Sequence, residues 1–292
     1  MHGILNLDKP AGISSAAAVD RVKRALGVTR AGHGGTLDPM ATGVLVICLG
    51  EATKVASYLL ADAKAYVAEF MLGVETDTLD RTGSVVAVRD ASHVTRDQIE
   101  VALGNRRGEQ DQLPPMFSAI KQRGVRLYKQ ARSGAEVERV PRRICIDQLE
   151  LLTFVPPRVT IAVACSKGTY IRSLVFDLGR DLGCGGHLTE LRRTRSGAFS
   201  VAQAHSLDHL DSSCVLPMES AVSLPIVAAP DGLISRIRSG LQLATELIPA
   251  TEVIPIGQRF QLHDAAGHLV AIAHVSRGHL VYDRVFRAEL VS

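Results

Sequence analysis

The residues best placed to do chemistry surround one carboxylate. Asp38 lies in Gly32-His33-Gly34-Gly35-Thr36-Leu37-Asp38-Pro39-Met40-Ala41-Thr42-Gly43, just ahead of the apolar run 44–49. Proline disfavours the α region for the residue before it, so Asp38 is expected to sit extended. The four glycines allow positive φ and close approach to a ligand. No Gly-Lys-Ser/Thr follows, and the spacing is not Gly-x-Gly-x-x-Gly, so the loop is neither a P-loop nor a dinucleotide fingerprint. What remains is a lone acid beside a histidine, and an Asp-Pro pair taken alone simply opens a turn. Tyrosines are scarce, five in 292 residues with no tryptophan, so their positions are informative. Tyr66 begins an alternating segment soon after the loop. Tyr170 sits in Lys167-Gly168-Thr169-Tyr170-Ile171-Arg172, at an expected strand-to-helix junction where side chains often face a cleft. Taken singly, each tyrosine reads as a packing residue and Arg172 as a surface cation. If Arg172 meets Asp38, its charge would lower the aspartate pKa and hold the carboxylate ionised and oriented.

The elements that must position these groups follow from periodicity. Residues 15–26 read as a helix capped by Ser14 or Ser15, with Val19, Val22 and Leu26 on one face and Gly27 ending it. A buried strand is expected over 44–49 and a helix over 51–60. Over 65–72 the alternation puts Tyr66, Ala68, Phe70 and Leu72 on one face. Residues 85–88 read as the partner of that strand across the turn-rich 77–83. Thr95-Arg96-Asp97-Gln98 is a capping box for a helix ending at Gly104. Strands are expected over 144–152 and 159–165, a helix over 171–182, and a further strand within 188–200. The texture changes near 216–225. Short apolar runs at 253–256, 260–262, 269–273 and 280–286 then suit a small β-barrel or sandwich.

Composition narrows the partners. A 46% hydrophobic fraction and mean hydropathy of +0.14 indicate a globular chain. With no bilayer-length apolar run and no signal-peptide pattern, the expectation is a soluble, cytoplasmic protein. Five cysteines without a Cys-x-x-Cys argue against a disulfide framework or a zinc ribbon, and isolated histidines argue against a metal site. The net charge of +3 hides a partition: residues 121–143 carry eight Lys/Arg against two acids, and 158–200 carry seven against three. The remaining residues therefore sum to −7. Two basic segments in an otherwise acidic chain point to a polyanion, and without an amphipathic anchor that means nucleic acid rather than membrane.

The motifs also resemble a family. Residues 33–43 together with Gly50-Glu51-Ala52-Thr53-Lys54 are similar to the signature of the TruB family of tRNA pseudouridine synthases. Further matches are Leu7-Asp8-Lys9-Pro10-Ala11-Gly12, Tyr66 with Leu72-Gly73, Thr76-Asp77-Thr78-Leu79-Asp80, Gly168-Thr169-Tyr170-Ile171-Arg172, and Leu188-Thr189-Glu190-Leu191-Arg192-Arg193. The resemblance covers about residues 2–220, and a weaker likeness to a PUA RNA-binding module covers roughly 225–292. It implies an α+β pseudouridine synthase fold: a mixed, mainly antiparallel central sheet flanked by helices over 1–222, with an RNA-gripping thumb insertion at about 112–143. A PUA-like β-barrel over 223–292 would complete it. The implied activity is isomerisation of uridine 55 in the tRNA T-loop.

Carried onto this sequence, the resemblance makes Asp38 the catalytic aspartate, Tyr66 the residue stacking on the base, and Arg172 the partner of the aspartate. Tyr170 and Leu191 would line the uracil pocket. His33 would fill the space left by the flipped base, and Lys9-Pro10 would support the site. Lys121, Arg123, Arg126, Lys129, Arg142 and Arg143 would grip RNA. The isomerisation involves no redox change and no group transfer, so no cofactor and no metal are expected. The expected partner is the T-arm of tRNA, with no obligate protein partner and a monomeric state, because one chain supplies every site residue. The competing readings are a non-catalytic RNA-binding or tRNA-folding protein of the same fold, a guide-RNA-dependent pseudouridylase, and a carboxylate glycosidase. The last needs a second facing acid, for which Asp77 or Asp80 are the nearby candidates.

Overall fold

The computed structural model describes residues 1–117, 121–122, 125–126 and 139–287. Its centre is a large mixed sheet with strand order Val215–Leu216, Gly3–Lys9, Thr42–Leu49, Gly186–Ser196, Lys64–Leu72, Arg158–Cys165, Arg142–Val155 and Gly108–Gln112. Among its described pairings one is parallel, Arg192 and Arg193 against Thr42 and Gly43. The Thr42–Leu49 strand shows why the run 44–49 lacks polar alternation: both faces of the sheet are covered. Leu45, Ile47 and Leu49 join the core under helices Ser15–Ala25 and Ile171–Asp181. Val44, Val46 and Cys48 point the other way, into a second core shared with Ala52, Val55 and Leu59.

Local signals work as expected where they are self-contained. Ser14 caps the Ser15–Ala25 helix by accepting from the Ala17 N–H. Thr95 and Gln98 form both halves of the capping box that opens Arg96–Asn105. Three expectations change. Val85–Val88 pairs with Val74–Thr76 rather than with Lys64–Leu72. Both edges of Lys64–Leu72 are already occupied by Arg158–Cys165 and Gly186–Ser196, and the chain turns away at Gly73, which has φ +86°. The segment 51–60 begins as a 3-10 turn over Gly50–Val55 and becomes α-helical only over Ala56–Ala61. Residues 253–256 form an exposed turn with Val253 and Ile256 in solvent, because Pro255 cannot donate to a ladder.

The C-terminal unit is a four-stranded sheet in the order Ile226–Ala228, Arg259–His263, Leu269–Ser276 and His279–Val285. Among the described residues no pairing joins its first strand to its last. It docks on the back of the central sheet through Leu269, Ile272 and Phe286, which share one core with Ile4, Val44 and Val46. The motif at residues 50–54 latches this contact. Lys54 Nζ donates to the Val285 carbonyl at 2.8 Å and to Glu51 Oε2 at 2.5 Å, while the Arg287 N–H donates to Glu51 at 3.1 Å.

Candidate active site

A cleft of about 260 Å³ opens where the 35–38 loop meets the Lys64–Leu72 and Gly186–Ser196 strands and the start of the Ile171–Asp181 helix. Asp38, Tyr66, Tyr170, Arg172 and Leu191 all line it. The strand-to-helix junction places Tyr170 at the N-cap of the helix and Arg172 in its first turn. Gln112 holds that junction from the last residue of its own strand: its side chain accepts from the Tyr170 N–H at 2.8 Å and donates to the Tyr170 carbonyl at 3.0 Å.

Arg172 is 4% exposed, and its Nε lies 3.0 Å from Asp38 Oδ2. The Nε–H makes no aligned hydrogen bond, so the contact is an ion pair by distance. The rest of the fork is occupied: Nη1 donates to the Thr78 carbonyl at 2.9 Å and Nη2 to the Phe117 carbonyl at 2.8 Å. Nη1 also sits 3.5 Å from Asp80, so one guanidinium serves two acids. Asp80 is 4% exposed and accepts from Thr78 Oγ1, the Thr82 N–H and Thr82 Oγ1. Its turn includes Leu79 at φ +62°, a conformation that branched side chains seldom adopt.

Arg172 acts on the Asp38 pKa in the expected direction but is outweighed. Burial pushes it up, Arg172 pulls it down, and the negative charge on Asp80 pushes it up again; the net shift is upward. The side chain nevertheless remains 35% exposed and lines the cleft. Tyr66 lies in the same cleft, its phenol pKa raised first by burial, with Asp38 adding to the rise and Arg193 opposing it.

The loop that carries Asp38 is held by buried side chains. Asp38 starts a turn closed by the Ala41 N–H donating to its carbonyl, so the ordinary Asp-Pro geometry is present and is used to present the acid. Ser15 Oγ donates to the Leu37 carbonyl at 2.9 Å and accepts from the Leu37 N–H at 2.8 Å. Lys9 is wholly buried and donates to the carbonyls of Pro10, Ile13 and Pro39. Burial lowers its pKa to about 8, against the pull of Asp38. Lys9 therefore braces the loop from behind, the supporting place expected of it, and does not line the cleft as a substrate-contacting residue would.

Other expected residues are placed elsewhere. His33 ends the short strand Ala31–His33, opposite Ile47, and does not line the cleft. Lys121–Gln122 and Val125–Arg126 form a small antiparallel pair, whereas Arg123 and Lys129 lie outside the described residues. Arg142 and Arg143 are exposed at the start of their strand. Arg143 pairs with Glu109 at 2.9 Å and approaches Asp111 at 3.9 Å, so part of its charge is already answered by the neighbouring strand. Reading the sequence assigned no site role to Arg193 or Lys64, both buried at the cleft wall, and considered Asp80 only as a second acid. Their signal is long-range. Arg193 and Asp80 stand inside recognisable motifs, but only strand pairing and the 76–84 turn bring them to Asp38.

Comparison with known proteins places the chain among described relatives. Residues 23–171 match the family described as TruB family pseudouridylate synthase (N terminal domain), and residues 172–223 match the tRNA pseudouridylate synthase B C-terminal domain. A tRNA pseudouridine synthase B of Syntrophotalea carbinolica is 41% identical, covering 98% of this chain and 98% of its own. One from Aromatoleum aromaticum is 52% identical over 81% of this chain and 75% of its own. A solved Cbf5-Nop10-Gar1 complex superposes with TM-score 0.74 at 28% identity, covering 98% of this chain and 85% of the other. An H/ACA RNP bound to a substrate RNA containing 2'-deoxyuridine gives TM-score 0.72 at 27% identity, over 98% of this chain and 85% of the other.

Proposed function

The chain belongs to the TruB family of pseudouridylate synthases, and from that premise we propose that it isomerises uridine to pseudouridine in tRNA, at position 55 of the T-loop. The observation that carries the reading is the convergence of Asp38, Tyr66 and Arg172 on one cleft, with the Asp38 side chain still partly exposed. The reaction breaks N1–C1′, turns the uracil and joins C5 to C1′. One ionised carboxylate serves it as nucleophile at C1′ or C6, or as base at the sugar. Tyr66 offers a ring face to the base, Tyr170 and Leu191 complete the pocket, and Arg172 orients the acid.

Extruding a stacked base costs a few kcal/mol, and stacking on an aromatic ring returns about 1–3 kcal/mol per base. His33 would fill the vacated stack, and the basic thumb over 112–143 would hold phosphates, so affinity should fall steeply with salt. The catalytic domain is read as 1–222 and the C-terminal RNA-binding unit as 223–292, in a cytoplasmic monomer. Among the described residues no helix is long and apolar enough to cross a membrane. The solved neighbours include an H/ACA RNP, but the curated relatives at 41–52% identity favour a stand-alone tRNA enzyme. The test is tritium release from a T-arm stem-loop labelled at uridine C5, with neither metal nor nucleotide added. Release that Asp38→Asn abolishes supports the reading. RNA binding without release supports a non-catalytic protein, and free uracil would indicate a glycosidase.

A further inference from the structure

Arg193 is among the most deeply buried side chains of the molecule, 2% exposed, and its contacts join two parts of the cleft that the sequence keeps apart. Its strand, Gly186–Ser196, runs between the strand that follows Asp38 and the strand that carries Tyr66. Arg193 is at the junction itself, paired with Gly43 on one side and with Tyr66 on the other. The approach on the Gly43 side leaves no room for a side chain: a Cβ there would fall 2.2 Å from the Arg193 carbonyl oxygen, and Gly43 has φ +98°.

From that junction the guanidinium reaches both flanks of the Asp38 loop. Nε donates to the Val44 carbonyl at 2.7 Å, Nη1 to the Thr36 carbonyl at 3.3 Å, and Nη2 to the Gly35 carbonyl at 3.2 Å. Across the sheet its direct register partner is Tyr66, and both residues line the same cleft. Lys9 holds the loop only beyond the acid, at Pro39, and Arg172 touches the carboxylate itself. Among these cations, Arg193 is the one that joins the loop to the tyrosine.

We propose that Arg193 is a positioning residue for the reaction, setting the Tyr66 ring and the Asp38 loop at a fixed separation before RNA arrives. The proposal rests on the uridine-isomerase reading above. A planar fork is required, because three carbonyl acceptors lie around it in different directions. A lysine ammonium has three donors on a flexible stem and cannot reproduce that arrangement. Arg193 is buried in the cleft wall with its donors turned to backbone carbonyls, so its loss should appear in turnover and not in binding.

The experiment uses the full-length protein and a T-arm stem-loop labelled with tritium at uridine C5, with Arg193→Lys, Tyr66→Phe and the double variant compared with the parent. Arg193→Lys is expected to lower kcat by about 100-fold, the scale of a 1 Å misplacement of reacting groups, while KM and RNA affinity change less than about 3-fold. In the Tyr66→Phe background the same change should cost markedly less, because residues joined in one network are not additive. A kcat within about 3-fold of the parent would overturn the proposal. So would equal losses in the two backgrounds, or loss of RNA affinity in step with turnover. If Arg193→Lys does not fold, amide exchange in Tyr66→Phe decides: faster exchange at Gly34 and Ala41 is expected, and unchanged exchange there rejects the coupling. If the parent protein releases no tritium, it is the isomerase reading that fails. Parental release with an unaffected variant removes only the role given to Arg193.

Discussion

Asp38 and Glu51 flank the same strand, Thr42–Leu49, one shortly before it and one shortly after. Glu51 is closed in by donors: Lys54 Nζ, the Arg287 N–H and, farther off at 4.0 Å, Arg30. Burial pushes its pKa up, but the Lys54 hydrogen bond, the Arg287 N–H and the two cations outweigh that, and the net shift is downward. Asp38 receives one ion pair, from a guanidinium it shares with Asp80, and its pKa moves the other way. The structural acid is compensated and sealed beneath the C-terminal sheet. The candidate catalytic acid is left undercompensated and facing a cleft. Stability favours closing such a network, whereas reactivity requires one unsatisfied end.

The comparison is open to test, and the largest expected effect is at Asp38. Asp38→Asn should reduce turnover by at least about 10³-fold while leaving T-arm affinity nearly intact. Its thermal midpoint should equal or exceed that of the parent, because a charge disfavoured by the fold has been removed. A clear drop in Tm would show that Asp38 is structural after all. Next in size is Asp80→Asn, expected to lower kcat by about 10–100-fold. By removing a negative charge near Asp38 it should also move the acid limb of the pH–rate profile to lower pH; a shift to higher pH would contradict the sharing of Arg172.

The parent profile carries its own sign. Activity that depends on ionised Asp38 should fall, as pH decreases, at a pH above that of an ordinary carboxylate, because the folded-state pKa is raised. An acid limb at or below the ordinary carboxylate range would refute this. Neutralising Arg123, Arg126 and Lys129 together should raise KM about 10-fold and flatten the salt slope by up to about 0.9 for each phosphate left without its cation. Identical salt dependence would remove that segment from the interface. The smallest effect is expected at the latch. Glu51→Gln should lower stability by about 1–2 kcal/mol with kcat unchanged within error. Since the folded pKa of Glu51 is depressed, the parent's advantage over this variant should be present near neutral pH and vanish as pH falls through that pKa. A constant difference down to strongly acidic pH would exclude the ion pair as its source.

How much of this was legible beforehand depended on the range of the interaction. A serine cap at 14 or 15, the Thr95/Gln98 box and the buried run after Asp38 are written within a few residues, and the structure has all three, choosing Ser14 as the cap. The partner of Val85–Val88 differs from the expectation because strand choice depends on which edges remain open, and that is settled by segments about 75 and 105 residues farther along. The lowering of the Asp38 pKa by Arg172 is present but outweighed, for a similar reason. Arg172 was visible as a partner, but neither Asp80 beside it nor the depth of burial was.

By itself the sequence determined the types of group available: one acid on a glycine-rich turn, two well-placed tyrosines, one arginine at a helix start, and a family whose motifs occur in order. Tertiary structure alone decided their environment. It set Asp80 against Arg172, put Arg193 between Gly43 and Tyr66, and turned Lys9 inward to brace the loop. The reason is physical: a residue's identity states which charges and hydrogen bonds it can offer, but burial and neighbours brought from distant strands set what those offers are worth.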